Sequence, residues 1–350
     1  MKILIVFGTR PEIIKLAPVI HALKGSFDVK TLHTGQHVEL AEDMIEFFRL
    51  KPDYNAECVL LAPDMEGIYE CVDESITLSI HHENPDLVIL QGDTYTAYAA
   101  AFAAFMLKKP VLHIEAGLRT NTKFKPFPEE GYRTLISRLT DFHFAPTRRA
   151  CENLLHEGVR GDRIFIVGNT IVDAIQMVLS NLNEENALRE LNDNHFDYNT
   201  LSLGKEMVLI TAHRRESIGE PLREICRAVK FLSEQFENVL FIWSLHRNQG
   251  VREIVLDELR QKKENIVLVE ALSYPTMIFL MRATTAILTD SGGIQEEAPA
   301  LQKPVFILRD VTERPEILKS GLGVLAGTEK NKIIDTFSSF MTHRGPCQTH

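Results

Sequence analysis

Acidic side chains stand where strands should end. Gln91-Gly92-Asp93-Thr94 follows the apolar run 87–90, Glu115-Ala116-Gly117-Leu118-Arg119 follows 111–114, and Glu129-Glu130 follows Pro126-Phe127-Pro128. Each has a plain structural explanation. Asp93 can cap a helix starting near Thr94, Glu115 can pair with Arg119 or another arginine, and an acid at a helix start is favourable with the dipole. An ionised carboxylate closing an apolar strand is nevertheless expensive to bury unpaired. Convergence of Asp93, Glu115 and Glu129 on one sheet edge is harder to explain structurally, and positioned carboxylates serve general acid–base chemistry.

A second group of residues suits an anion. Thr289-Asp290-Ser291-Gly292-Gly293 ends an apolar run in a hydroxyl and two glycines and then opens a helix. Such a start lets backbone approach a ligand and aims free N–H groups at a phosphate. Glu297, about one turn into that helix, is placed to accept from ribose hydroxyls, and Arg314 is either an added cation or a structural partner. Gly8-Thr9-Arg10-Pro11-Glu12, with Lys15 one turn on, reads equally as an anion-holding turn or as a tight turn with surface basic residues. His213 and His246 each follow an apolar run, where a histidine is a hydrogen bonder, an acid–base group or a structural residue. No HExxH, GxGxxG or GxxxxGK[ST] occurs, so neither a metal helix nor a dinucleotide or P-loop fingerprint is indicated.

The elements that must position these residues alternate strand, turn, helix. Residues 2–7, 29–33, 87–91, 111–115 and 142–146 are short apolar runs with helical patterns between them. Pro11 and Glu12 open the first helix, whose buried stripe is Ile13, Leu16, Ala17 and Ile20. After a polar stretch at 181–206 a second series follows at 207–211, 239–243, 266–269, 286–289 and 305–308. The expectation is an α/β protein of two Rossmann-like domains, 1–168 carrying the carboxylates and 169–350 the anion site, facing each other across a cleft.

At 350 residues the chain is long enough for two cores. Its 38 Lys and Arg against 48 Asp and Glu give a net charge of −10, which disfavours nucleic acid as a partner. The apolar run near 97–107 is too short to span a membrane, and no signal peptide is evident, so a soluble cytoplasmic protein is expected. The five cysteines, Cys58, Cys71, Cys151, Cys226 and Cys347, are scattered and odd in number and read as reduced thiols.

The motifs are collinear with a known family. FGTRPEIIKLAP (7–18), GQH (35–37), GDT (92–94), HIEAGLRT (113–120), FPEE (127–130), HFAPT (143–147), GNT (168–170), TAHRRE (211–216), TDSGGIQEEAP (289–299) and RDVTERPE (309–316) resemble the non-hydrolysing UDP-N-acetylglucosamine 2-epimerases. The resemblance implies a GT-B-like fold with UDP between the domains, a homodimer, and neither NAD nor a catalytic metal. It implies inversion at C2 of UDP-GlcNAc to give UDP-ManNAc for surface polysaccharide, by loss of UDP to 2-acetamidoglucal and its re-addition. Asp93, Glu115 and Glu129 match the family's catalytic acids, with His213 beside them. Arg10, Lys15, His213, Ser291, Gly292, Gly293, Glu297 and Arg314 match its UDP-binding positions.

Departures are equally specific. The family's Asn-Pro-Tyr-Gly-Asp-Gly segment and fold-back helix have no counterpart in the terminal HRGPCQTH, residues 343–350. Glu39, Glu42, Asp43 and the segment 63–66 stand where some relatives bind a second UDP-GlcNAc as activator, so that regulation is not expected. Leu272 and Met277 replace Gln and Phe near the uracil. The alternatives are an epimerase of a related UDP sugar, a hydrolysing 2-epimerase, a GT-B glycosyltransferase, or an inactive nucleotide-sugar binder.

Overall fold

A computed structural model of the chain describes residues 1–36, 41–62, 64–124, 126–214, 217–312 and 314–343. His37, Glu39, Pro63, Arg215, Glu216, Glu313 and the terminal residues 344–350, with Cys347, lie outside the described residues. The chain divides into two compact units, Met1–Met177 and Val178–His350, and the division falls inside the helix Ile171–Asn181.

The first unit holds a seven-stranded parallel sheet in the order β3-β2-β1-β4-β5-β6-β7. Its strands are β1 (Lys2–Phe7), β2 (Asp28–His33), β3 (Tyr54–Asn55), β4 (Leu87–Gln91), β5 (Val111–Ile114), β6 (Phe142–Ala145) and β7 (Ile164–Ile166). β1 is buried along almost its whole length, as a strand covered by helices on both faces must be. Thr9 caps the helix Arg10–Lys24, Pro11 sits in its first turn, and Ile13, Leu16, Ala17 and Ile20 are fully buried as their spacing predicts. The alanine-rich helix Tyr95–Met106 packs Ala97, Ala100, Ala101 and Ala104 against Val88, Leu90 and Val111 of the sheet and Ile76 and Ile80 of the helix Met65–Glu83. The chain leaves β1 for β2 and β3 and returns to β4 on the other side of β1. The switch point of this sheet is therefore the gap between the carboxyl ends of β1 and β4.

The second unit repeats the plan with six parallel strands in the order β10-β9-β8-β11-β12-β13. They are β8 (Glu206–Thr211), β9 (Val239–Ser244), β10 (Ile266–Val269), β11 (Ala286–Thr289), β12 (Val305–Ile307) and β13 (Gly323–Leu325). Its core gathers Phe241, Trp243, Phe306, Ile225 and Leu232. The last described helix, Lys330–His343, is pinned within this unit by Phe337, whose ring meets Phe236, Phe241 and Phe306 at 5.2–6.1 Å. The switch point lies between β8 and β11. The polar stretch before β8 is not a bare linker, because it folds into the helices Glu184–Asp193 and Tyr198–Leu201. Glu190 from the first of these accepts from Ser273 N and Ser273 Oγ, both at 2.6 Å.

One expectation is corrected here. Cys58 and Cys71 form a disulfide, with Cα atoms 5.5 Å apart. The spacing of 13 residues hides the pair in the sequence, and it forms because the short helix Cys58–Leu61 packs on the helix Met65–Glu83. Cys151 and Cys226 are free, and burial pushes the Cys226 thiol up. No helix among the described residues is long and apolar enough to cross a membrane.

Gly117, just beyond β5, has φ +89, and a Cβ there would run into the carbonyl of Ala150. Strain and overlap together should make Gly117→Ala destabilising by about 2–4 kcal/mol. Denaturant unfolding followed by circular dichroism would show this, and a change below 1 kcal/mol would contradict the packing described.

Candidate active site

The carboxyl edge of the first sheet is organised by Glu12, a fully buried carboxylate in the first turn of the helix after β1. Its Oε2 accepts from Gly8 N and Thr9 N, both at 2.8 Å, and from Thr9 Oγ1 at 2.9 Å. Its Oε1 accepts from Thr94 Oγ1 at 2.5 Å, which ties the end of β1 to the cap of the helix after β4. The amides of Gly8 and Thr9, just before the helix, are thus taken by the chain's own carboxylate. Burial pushes the Glu12 carboxyl up to about 6 even though these hydrogen bonds oppose it.

Of the sequence-predicted acids, Glu115 is bound most tightly. Its Oε2 accepts from Lys15 Nζ and from Gln91 Nε2, the latter at 2.9 Å, and both charged side chains of the pair are only 9% exposed. Lys15 is therefore no surface cation. Arg119, the partner considered for Glu115, instead holds Glu157 through Nε at 2.6 Å and a second nitrogen at 2.9 Å. Glu115 also has φ +68, a left-handed conformation that costs a non-glycine residue about 1–2 kcal/mol. A glycine would avoid that strain, so the position holds glutamate for its side chain.

Asp93 does not cap the following helix. Thr94 does, accepting from Ala97 N at 3.1 Å. Asp93 accepts from Arg133 Nε at 2.7 Å, while another nitrogen of the same guanidinium reaches Glu130 Oε2 at 2.9 Å. Glu130 Oε1 in turn receives the amides of Thr120 and Asn121 at 2.9 and 3.0 Å. Arg133 thereby fixes Asp93 to the helix Glu129–Leu139, which Glu129 opens. Glu129 Oε2 is buried and makes no hydrogen bond. Beneath Asp93, His113 Nε2 meets the carbonyl of Gly92 at 2.8 Å, and burial holds this imidazole neutral by lowering its pKa to about 3.

In the second unit the paired residues Thr211 and Thr289 join hydroxyls at 2.6 Å, and His213 and Ser291 each follow two positions later on the same edge. Between them lies Asp290, fully buried, which accepts from His213 N at 2.9 Å and Arg214 N at 2.9 Å and lies 3.6 Å from His213 Nδ1. The rings of His213 and His246 stack at 4.7 Å and 10°. Burial and the adjacent His213 ring lower the His246 pKa. Ser291 precedes the helix Gly292–Ala300 as its N-cap, and its side chain makes no capping hydrogen bond. A Cβ at Gly293 would meet only Ser291 Oγ, at 3.8 Å, so packing does not demand glycine there. Glu297 lies buried one turn on, and Arg314 Nε donates to Glu296 Oε1 at 2.5 Å. Among the described residues no group of three His, Cys, Asp or Glu side chains is arranged to hold a metal ion.

The family model described as UDP-N-acetylglucosamine 2-epimerase matches residues 21–349. The UDP-N-acetylglucosamine 2-epimerase of Escherichia coli O157:H7 is 40% identical over 352 residues, covering 100% of this chain and 93% of the relative. The chain belongs to the UDP-N-acetylglucosamine 2-epimerase family. The crystal structure of the Neisseria meningitidis UDP-GlcNAc 2-epimerase, bound to UDP-GlcNAc, superposes with a TM-score of 0.89 at 39% identity, covering 98% of this chain and 92% of that one. The Methanocaldococcus jannaschii UDP-GlcNAc 2-epimerase in complex with UDP-GlcNAc and UDP gives 0.79 at 34% identity, covering 99% and 94%. The two parallel α/β units are thus those of a GT-B-like fold.

For this epimerase-family chain, sequence reasoning missed the residues that position the candidates: Glu12, Gln91, Glu130, Arg133 and Asp290. Arg133 carried a usable signal, since it lies four residues after Glu129 and three after Glu130 on one helix face. Between pH 4.5 and 6 the folded state holds the Glu12 proton more tightly than the unfolded chain. This contribution to stability therefore falls as pH rises through that window, by about 2 kcal/mol in all, and is flat above it. Melting temperatures of wild type and Glu12→Gln, compared from pH 4 to 7, should shift in the variant's favour across that window. A pH-independent difference would contradict the raised pKa.

Proposed function

We propose that this protein interconverts UDP-GlcNAc and UDP-ManNAc by the non-hydrolysing route. The observation that carries the reading is the likeness, at 39% identity over 98% of the chain, to an epimerase solved with UDP-GlcNAc bound. The sites support it chemically. A sugar C2 hydrogen has no neighbouring carbonyl to acidify it, so the C1–O bond to UDP breaks first and its electron pair leaves on the diphosphate. The positive charge developing at C1 makes the C2 hydrogen acidic, and a carboxylate takes the proton as the C1=C2 bond of 2-acetamidoglucal forms. Return of UDP to C1, with a proton delivered to the other face of C2, completes the inversion. No atom is lost and no redox cofactor is required.

In this reading Asp93, Glu115 and Glu129 supply the proton transfers, each from a different strand end or helix start of the first unit. Arg133 orients Asp93, and Lys15 and Gln91 orient Glu115. The second unit holds the UDP. The uncapped helix start at Ser291, Gly292 and Gly293 receives the diphosphate, Glu297 the ribose, and His213 on its Asp290 support donates to the leaving oxygen, with Arg10 and Arg314 adding positive charge. The protein is further taken to work in the cytoplasm as a homodimer, supplying surface polysaccharide synthesis. Exposed Phe102, Phe105 and Met106 on one helix support the dimer.

Asp93→Asn should lower kcat for epimerisation about 100- to 10,000-fold while leaving UDP affinity nearly unchanged. Incubation with UDP-GlcNAc in deuterated water, followed by proton NMR, reads the lost C2 exchange. A GT-B transferase would tolerate the substitution, and release of free ManNAc by wild type would indicate the hydrolysing reaction. Gly293→Ala should raise stability by about 0.5–1 kcal/mol yet weaken UDP binding several-fold by calorimetry, and unchanged affinity would remove the diphosphate from that helix start.

A further inference from the structure

The Cys58–Cys71 bridge lies outside the machinery assigned above, yet it is connected to it. Cys58 is fully buried and opens a helix of four residues, Cys58–Leu61, with no side-chain cap and with Leu60 and Leu61 exposed. A helix this short has no stability of its own. Its amides instead reach the loop after β2. Cys58 N donates to Thr34 O at 3.0 Å, Val59 N to Gly35 O at 3.1 Å, and Ala56 N to His33 O at 2.9 Å. The two backbones touch, because a Cβ on Gly35, which has φ +67, would lie 2.7 Å from Glu57 Cα. On its other side the same loop grips the catalytic edge. Thr34 Oγ1 meets Thr96 Oγ1 at 3.0 Å, and Gln36 Oε1 accepts from Thr96 N at 3.2 Å and Thr96 Oγ1 at 2.8 Å. Thr96 stands in the first turn of the helix capped by Thr94, which holds Glu12 and directly follows Asp93.

We infer that Cys58 and Cys71 form a reversible thiol–disulfide site whose oxidised form clamps residues 34–36 against the carboxyl edge of β1 and β4. The two sulfurs differ in access, since Cys71 is partly exposed and Cys58 is enclosed. A small dithiol therefore attacks Cys71 Sγ. The S–S bond breaks, its electron pair leaves on Cys58 Sγ, and that sulfur takes a proton. The second thiol of the reagent then closes on the mixed disulfide and releases Cys71 as a thiol. The protein gains two electrons and two protons, and the dithiol loses the same in becoming a cyclic disulfide. A low-molecular-weight disulfide reverses the exchange, yielding two small thiols. Reduction frees the four-residue helix from its covalent anchor, and with it the amides that hold Thr34 and Gly35.

The clamp stands on geometry alone, and only its effect on turnover rests on the epimerase reading. The test uses the full chain, equilibrated with glutathione disulfide or with dithiothreitol, and Cys71→Ser as a form that cannot close the bridge. In the oxidised protein Cys58 and Cys71 should resist alkylation while Cys151 labels. Hydrogen exchange by mass spectrometry should be roughly fivefold or more slower over residues 34–36 and 56–61 than in the reduced protein. Cys71→Ser should match the reduced wild type under both conditions. Alkylation of both cysteines without reductant, or equal exchange in the two states, would overturn the site. Turnover of UDP-GlcNAc should be several-fold slower in the reduced protein, and equal turnover would overturn the link from clamp to edge. No turnover in either state, with the exchange difference intact, would overturn the epimerase reading and leave the clamp standing.

Discussion

Glu12 joins the end of one strand to the start of the helix that follows another, and the rest of the first sheet's edge depends on that tie. A carboxylate taken fully out of water must have its oxygens satisfied. Here the satisfying donors are the turn after β1 and the hydroxyl that caps the helix after β4. Because Gly8 and Thr9 give their amides to Glu12, the turn has one geometry, and Arg10 and Lys15 leave it in fixed directions. Because Thr94 gives its hydroxyl to Glu12, Asp93 stands at a fixed distance from that turn. The two sides of a switch point are held in register by one side chain that carries no reaction itself.

The same rule governs the other carboxylates, with different donors and different consequences. Asp290 is satisfied almost entirely by backbone amides, which shapes the turn carrying His213. Glu130 takes two backbone amides and one guanidinium nitrogen, and so becomes the anchor from which Arg133 reaches Asp93. Glu115 takes a lysine and a glutamine, and removing either charged member of its ion pair would leave a buried charge uncompensated at about 3–5 kcal/mol. The helix start at Ser291 differs, since the serine side chain makes no capping hydrogen bond. One sheet edge is rich in satisfied acids, and the other leads into a helix whose first serine does not cap it.

Much of this could be read in advance because parallel sheets impose strong local patterns. Continuous apolar runs marked the long strands, and the turn residues after them marked the carboxyl edges, so the places of Asp93, Glu115, His213 and Ser291 at strand ends were legible. Short edge strands such as β3 and β7 carry too few residues for a pattern. The helices within the polar stretch 181–206 escaped notice because their stability comes from contacts such as Glu190 with Ser273, 83 residues away. Arg119 was the plausible partner for Glu115 by proximity, yet its fork matched Glu157 and the compact ammonium of Lys15 took the acid.

The sequence by itself determined the class of fold, the family, and which residue types stand at the strand ends, because hydrophobic period and turn chemistry act over a few neighbours. The tertiary structure decided which charges pair. It set Lys15 on Glu115 across 100 residues and Arg133 on Asp93 across 40, and it closed Cys58 onto Cys71. Pairing of buried charges and of thiols depends on distance and desolvation in three dimensions. Residues far apart in the chain acquire those distances only when strands from separate crossovers lie side by side.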